Sequence, residues 1–223
     1  KGGAAVFIDY RVCYTKTGRL KYISHLDVNR LMQRALKRSG LPVWYSEGFN
    51  PHIYLTFALP LALGLESHYE IMDFRLTAEL PEKEIIRRLQ SSLPDGMTVL
   101  SVSKPLYKAQ DIGRAEFRLE LYSERPEELA QAWSRFLEQK EILVEKKTKK
   151  GVRTIDIKPD IHIKCVKQAE DVLTVDLLLP AGIEKNISPF LVLEAFEREQ
   201  PSLVEDTKLF KIDVFTKEGE HFR

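Results

Sequence analysis

The apolar residues of this chain change their spacing in a fixed order, and that order constrains the fold more than any other feature. A short strand, "RVCYTK" (11–16), leads through a Thr17-Gly18 turn into "RLKYI" (19–23), read as extended structure or as a return of the chain. Ser24 then caps a helix over 25–39, with Asp27 at capping-box distance and Val28, Leu31, Met32 and Ala35 at helical spacing. Gly40 ends that helix and Pro42 prevents its continuation. "PVWYS" (42–46) starts a strand, "EGFNPH" (47–52) bends, and Ile53, Leu55, Phe57 and Leu59 alternate as one buried strand face. A strand over 69–76 with Met72, Phe74 and Leu76 inward follows. A helix over 81–93 comes next, opened by Pro81 and striped by Ile85, Ile86, Leu89 and Leu93, and a strand over 97–103 ends the series.

Residues 104–114 carry no period and read as a linker. The order then recurs. A strand over 115–122 precedes a helix from Pro126 with Leu129, Trp133, Phe136 and Leu137 on its core face. A basic hairpin about Gly151 (141–159) and a second hairpin (161–167 with 172–180) follow. A helix over 188–199 buries Leu191, Val192, Ala195 and Phe196, and a strand over 208–215 closes the chain. Two such successions predict an α+β protein of two tandem ferredoxin-like units (βαββαβ), with antiparallel sheets and helices packed on one face. Their expected extents are 1–103 and 115–223.

Composition narrows the classes. The chain of 223 residues is 43% hydrophobic and 30% charged, as a soluble globular protein is. No apolar run is long enough for a membrane span. The opening "KGGAAVFID" is too short, and too acidic at Asp9, for a signal peptide. Cys13 and Cys165 lie far apart, with no zinc or iron–sulfur spacing, so no metal is expected and a reducing cytoplasm fits. No Walker or Gly-x-Gly-x-x-Gly pattern is present, and no cofactor is expected.

Net charge is only +1, yet it is unevenly spread. Between residues 11 and 60 the only acids are Asp27 and Glu47, and Asp156 is the only acid among the lysines and arginines of 146–158. On the first helix Arg30, Arg34, Lys37 and Arg38 stand at i, i+4, i+7 and i+8, one face away from the apolar stripe. Such a row repels itself, and it reads either as a solvated helix face or as a row that phosphates neutralise. Lys21 and His25 lie at the N-terminal end of that helix, where free N–H groups favour anions. In the bend, Gly48 and Asn50 permit positive φ, so backbone N–H groups can converge. Tyr45, Phe49 and Tyr54 offer rings for unpaired bases, or fill a core, and the core reading is the expectation for Phe49 and Tyr54 individually. Asn50 and His52 offer donors. Lys147, Lys149, Lys150 and Arg153 form a second basic element at a hairpin tip, either a phosphate-contacting arm or a solvated loop.

The stretch 15–67 contains "KTGRLKYISHLD", "RALKRSGLPV", "YSEGFNPH" and "FALPLALGLES", and 146–159 reads "KKTKKGVRTIDIKP". These motifs closely resemble the radical-SAM-linked protein family, a bacterial domain of unknown function. Its members stand alone or are fused behind radical-SAM enzymes with a cobalamin-binding region. The resemblance implies a partner enzyme of that class and hands over no catalytic residue. A second, architectural likeness is to the repeat-processing RNA endonucleases of bacterial CRISPR systems. There His25 would be the counterpart of a histidine near the first helix, although "AGIEKN" (181–186) stands where that group has a Gly-rich loop.

Three functions follow from these readings. The first is a non-catalytic RNA-binding or substrate-recognition module serving a radical-SAM enzyme. The second is a metal-independent endoribonuclease with His25 as acid or base and Lys21 or Arg30 stabilising charge. The third is a protein-binding adaptor using Glu66, Glu70 and Asp73.

Overall fold

Tyr10, Val12 and Tyr14 alternate with Arg11 and Cys13 along the first strand, and this alternation decides which side of it meets the helices. The computed structural model describes residues 7–148 and 151–223, and for 147 and 148 the backbone alone. Its two compact units are one running to Asp111 that also takes in Glu220–Arg223, and a second of Ile112–Gly219. The chain is a mixed α+β protein with four α-helices among the described residues. None of them is long and apolar enough to cross a membrane.

In the first unit, β1 (Ile8–Lys16) is followed by α1 (His25–Arg38), β2 (Leu55–Phe57), β3 (Glu66–Leu76), α2 (Glu82–Gln90) and β4 (Val99–Ser103). The strands lie in the order β4-β1-β3-β2, every neighbour antiparallel. Tyr10, Val12 and Tyr14 of β1 and Met72, Phe74 and Leu76 of β3 share one core with Val28, Met32, Ala35 and Leu36 of α1 and Ile85 and Leu89 of α2. Both helices therefore cover the same sheet face. On the other face Arg11 is buried and forked onto Asp73 (2.7 and 2.8 Å). Phe222 lies over its guanidinium at 4.5 Å, and the Phe222 carbonyl accepts from Tyr69. The last residues of the chain thus belong to the first unit, which no period in the sequence signals.

Four local expectations change. Of residues 19–23 only Ile23 is extended: Gly18–Tyr22 form a 3-10 turn, in which Gly18 takes φ +62° and Ile23 N–H bonds back to Leu20. The expected strand over 42–46 is reduced to isolated bridges, Val43 with Leu76 and Tyr45 with Ile53, since Pro42 has no donor and the chain bends immediately afterwards. Strand 53–60 contracts to β2, bracketed by Pro51 and Pro60. Within 104–114, Ala109–Asp111 make a 3-10 turn and the next strand starts at Ile112.

The second unit runs β5 (Ile112–Tyr122), α3 (Pro126–Glu138), β6 (Leu143–Thr148), β7 (Gly151–Asp156), β8 (His162–Ala169), β9 (Val172–Pro180), α4 (Pro189–Glu199) and β10 (Asp206–Thr216). Its sheet order is β10-β5-β9-β8, again all antiparallel, and β6 and β7 pair as a separate hairpin. Ala115, Phe117, Leu119 and Leu121 alternate inward along β5, opposite Leu173, Val175, Leu177 and Leu179 of β9. Trp133 and Phe136 of α3 meet Phe196 of α4 with ring centroids 4.8 and 5.5 Å away. On the expected helix faces Leu137 and Leu191 are only partly buried, while Ala132 and Leu193, outside those faces, are buried.

Candidate nucleic-acid interface

Helix α1 begins at Ser24, whose hydroxyl accepts from Asp27 N–H (3.1 Å) and donates to the Asp27 carboxylate (2.7 Å). That bond, with Arg30 beside it, holds the Asp27 carboxyl below its ordinary value. Burial of Val28, Met32, Ala35 and Leu36 fixes the helix rotation, and Arg30, Arg34, Lys37 and Arg38 are left exposed.

The segment after α1 is a hairpin. Ser46 N–H donates to the His52 carbonyl (2.8 Å), Tyr54 N–H donates to the Trp44 carbonyl (3.3 Å), and Tyr45 bridges Ile53. Residues 47–51 form its tip, where Gly48 takes φ +122°. Asn50 does not adopt a positive φ, so of the two residues expected to turn the chain that way only Gly48 does. The backbone N–H of His52 is spent on Ser46 Oγ (3.1 Å) and is not a free anion donor. His52 Nδ1 faces Ser46 Oγ (2.9 Å) and the Asn50 carbonyl (3.3 Å), which leaves Nε2 as the outward ring nitrogen.

Helix and hairpin close on one groove. It has a volume of ≈ 350 Å³ and is lined by Arg30, Gln33, Arg34, Lys37, Tyr45, Pro51, His52 and Ile53. No carboxylate lines it. Arg30 reaches Asp27 at 3.3 Å, with both side chains more than half exposed, and such a pair is weak and screened. Among the described residues no acid pairs with Arg34 or Lys37. Gln33 Nε2 donates to Asn29 Oδ1 (2.7 Å), which fixes the amide plane and leaves Oε1 uncommitted. The groove is therefore a cationic wall facing an aromatic and imidazole wall, suited to an anion that carries a ring.

The other predicted residues fall elsewhere. Arg38 turns to the Ser92 carbonyl (2.7 Å) and is not part of the lining. Lys21 pairs with Glu66 (3.5 Å). His25 sets its ring edge on Phe57 (4.9 Å) at the helix start and does not line the groove. Arg153 is exposed on β7 of the second unit, where its backbone neighbour is Lys146. Lys149, Lys150 and the side chain of Lys147 lie outside the described residues. Phe49 is not a core residue: it is 105% exposed at the hairpin tip, because no neighbouring element lies over residues 47–51. Tyr54 is half-buried and also lies outside the hydrophobic core cluster, with the Arg75 guanidinium 4.2 Å over its ring.

The acids expected to form an adaptor face are engaged instead. Glu70 is buried, Asp73 is forked by Arg11, and Glu66 accepts from Gly18 N–H (2.8 Å) as well as facing Lys21. Sequence reasoning missed Gln33, Pro51 and Ile53. Gln33 was findable, since it stands three residues from Arg30 and four from Lys37, on the same helix face.

No cluster of metal-ligating side chains exists among the described residues. No curated protein matches the chain. A family model described as "Uncharacterized protein conserved in bacteria (DUF2344)" matches residues 9–189, which include β1 from its second residue, α1, the hairpin, the groove and the basic β6–β7 element. The chain belongs to that bacterial family.

Proposed function

We propose that this protein is a non-catalytic RNA-binding module that presents RNA to a radical-SAM enzyme. The observation that carries the reading is the acid-free groove in which Arg30, Arg34 and Lys37 of α1 face Tyr45 and His52 of the hairpin. Three cations tolerated side by side on one helix, two of them with no acid partner among the described residues, are what phosphate neutralisation requires. The aromatic wall adds a surface for bases, which distinguishes RNA from a simple polyanion.

The partner class rests on the resemblance of the "KTGRLKYISHLD" and "YSEGFNPH" stretches to radical-SAM-linked proteins. We read each unit as ferredoxin-like, because both share the order strand-helix-strand-strand-helix-strand and the sheet order fourth-first-third-second, with β6 and β7 inserted in the second. A reducing cytoplasm is the compartment this reading assumes, and Cys13 and Cys165 are unpaired thiols.

The test is binding of total cellular RNA to the purified protein over a salt series. Salt-dependent retention supports the reading, and its absence refutes it. Co-purification with a radical-SAM protein after nuclease treatment tests the partner separately.

A further inference from the structure

Resting on that reading, we infer that the groove between α1 and the 44–54 hairpin takes one unpaired nucleotide, so that the ligand is single-stranded or looped RNA rather than duplex. A purely phosphate-binding site would present donors only. The lining of this one also includes Gln33, whose Nε2 donates to Asn29 (2.7 Å) and whose Oε1 is an acceptor with no protein partner among the described residues. An acceptor repels phosphate oxygens and is satisfied by an N–H or O–H, which a base edge or a ribose 2′-hydroxyl supplies and a phosphate does not. His52 Nε2 is a second uncommitted polar atom, on a residue of the facing wall, since Nδ1 is engaged by Ser46 and Asn50. The groove thus offers cations for a phosphate and edge-reading atoms for the group attached to it.

Size and shape agree. At ≈ 350 Å³ the groove sits at the low end of the about 300–1,000 Å³ spanned by small-molecule sites, room for one nucleotide. Tyr45, 42% exposed, supplies a ring along its wall. Phe49, three residues from His52 at the same hairpin tip, is 105% exposed. A bare phenyl ring at the tip of the hairpin that forms one wall of the groove suits stacking on a base, and only bases outside a duplex offer a free face.

The experiment compares a labelled oligoadenylate single strand with the same strand annealed to oligouridylate, using the whole chain and its Phe49→Ala and Phe49→Trp variants. The single strand binds tighter than the duplex. Phe49→Ala weakens the single strand by about 5- to 150-fold, the range of one lost base stack, and leaves the salt slope unchanged. Because residue 49 is fully exposed, the variant folds as the parent does. Phe49→Trp keeps the affinity, and its fluorescence is quenched by the single strand alone. Equal binding of both forms with the salt slope intact, or an unaltered affinity in Phe49→Ala, overturns the unpaired-nucleotide inference while RNA binding stands. If neither form binds, the RNA reading itself falls.

Discussion

Replacing Arg30, Arg34 and Lys37 together by glutamine is the perturbation whose size can be worked out before it is made. All three are exposed and line the groove, and glutamine is about as good a helix former, so folding is preserved. Each cation that neutralises a phosphate on single-stranded RNA contributes about −0.7 to the slope of log K against log salt. Three contacts give a slope of about −2, so that raising salt from about 50 to 200 mM weakens binding by roughly 20-fold through this groove alone. The triple variant loses that share, and its slope flattens by about 2. Fluorescence anisotropy of a labelled single-stranded RNA across the salt range measures both slopes. Parallel lines for parent and variant would mean that the groove makes no phosphate contact, and the electrostatic argument would be refuted. Arg38→Gln is the internal control. Arg38 turns to Ser92 and leaves the slope unaltered.

The scaffold makes further predictions. Trp133→Ala in the second unit costs about 3–5 kcal/mol in denaturant unfolding, whereas Trp133→Phe costs much less, because the indole N–H is buried without a partner. Gly182→Ala lowers stability by at least about 1–3 kcal/mol, since Gly182 takes φ +121° and a Cβ there would stand 2.6 Å from the Ile112 carbonyl oxygen. Ser24→Ala removes the cap of α1 and costs about 0.5–2 kcal/mol, read as lower amide protection in the first turn. Hydrogen bonds from Arg87 and then Arg88 hold the Glu84 carboxyl down to about 2. Its folded value lies below its unfolded one, so its contribution is present above the ordinary glutamate range and is lost as pH falls through about 2. Carbon-detected titration should give that midpoint, and Arg87→Gln with Arg88→Gln should return it to the ordinary range.

The helices were legible because burial imposes a period that local chemistry repeats. Ser24, Gly40, Pro126 and Ser188 mark their ends, and Met32, Leu89, Trp133 and Phe196 fall inward as spaced. The strand order within each unit could be anticipated only through the repeated element order. Pairings that carry no period were not legible: the return of Phe222 to Arg11 depends on contacts remote in sequence. In the site, the helical row predicted the exposed cations, because amphipathic rotation is set locally. It could not tell which of them face the hairpin, so Arg38 was included and Gln33 passed over. Phe49 defeated the hydrophobic rule for a related reason, since nothing in its own neighbourhood says that no element lies over the tip. The acids Glu66, Glu70 and Asp73 read as surface charge, yet each has a partner or is buried, because β3 places them beside Lys21, Arg11 and the sheet interior.

The central claim is that α1 and the 44–54 hairpin form one RNA-binding groove, and photo-crosslinking tests it most directly. Single-stranded RNA crosslinked to the whole chain, digested and mapped by mass spectrometry, should label residues within 30–53, with Tyr45, Phe49 and His52 foremost. Crosslinks confined to the second unit, with residues 30–53 unlabelled, would contradict the account.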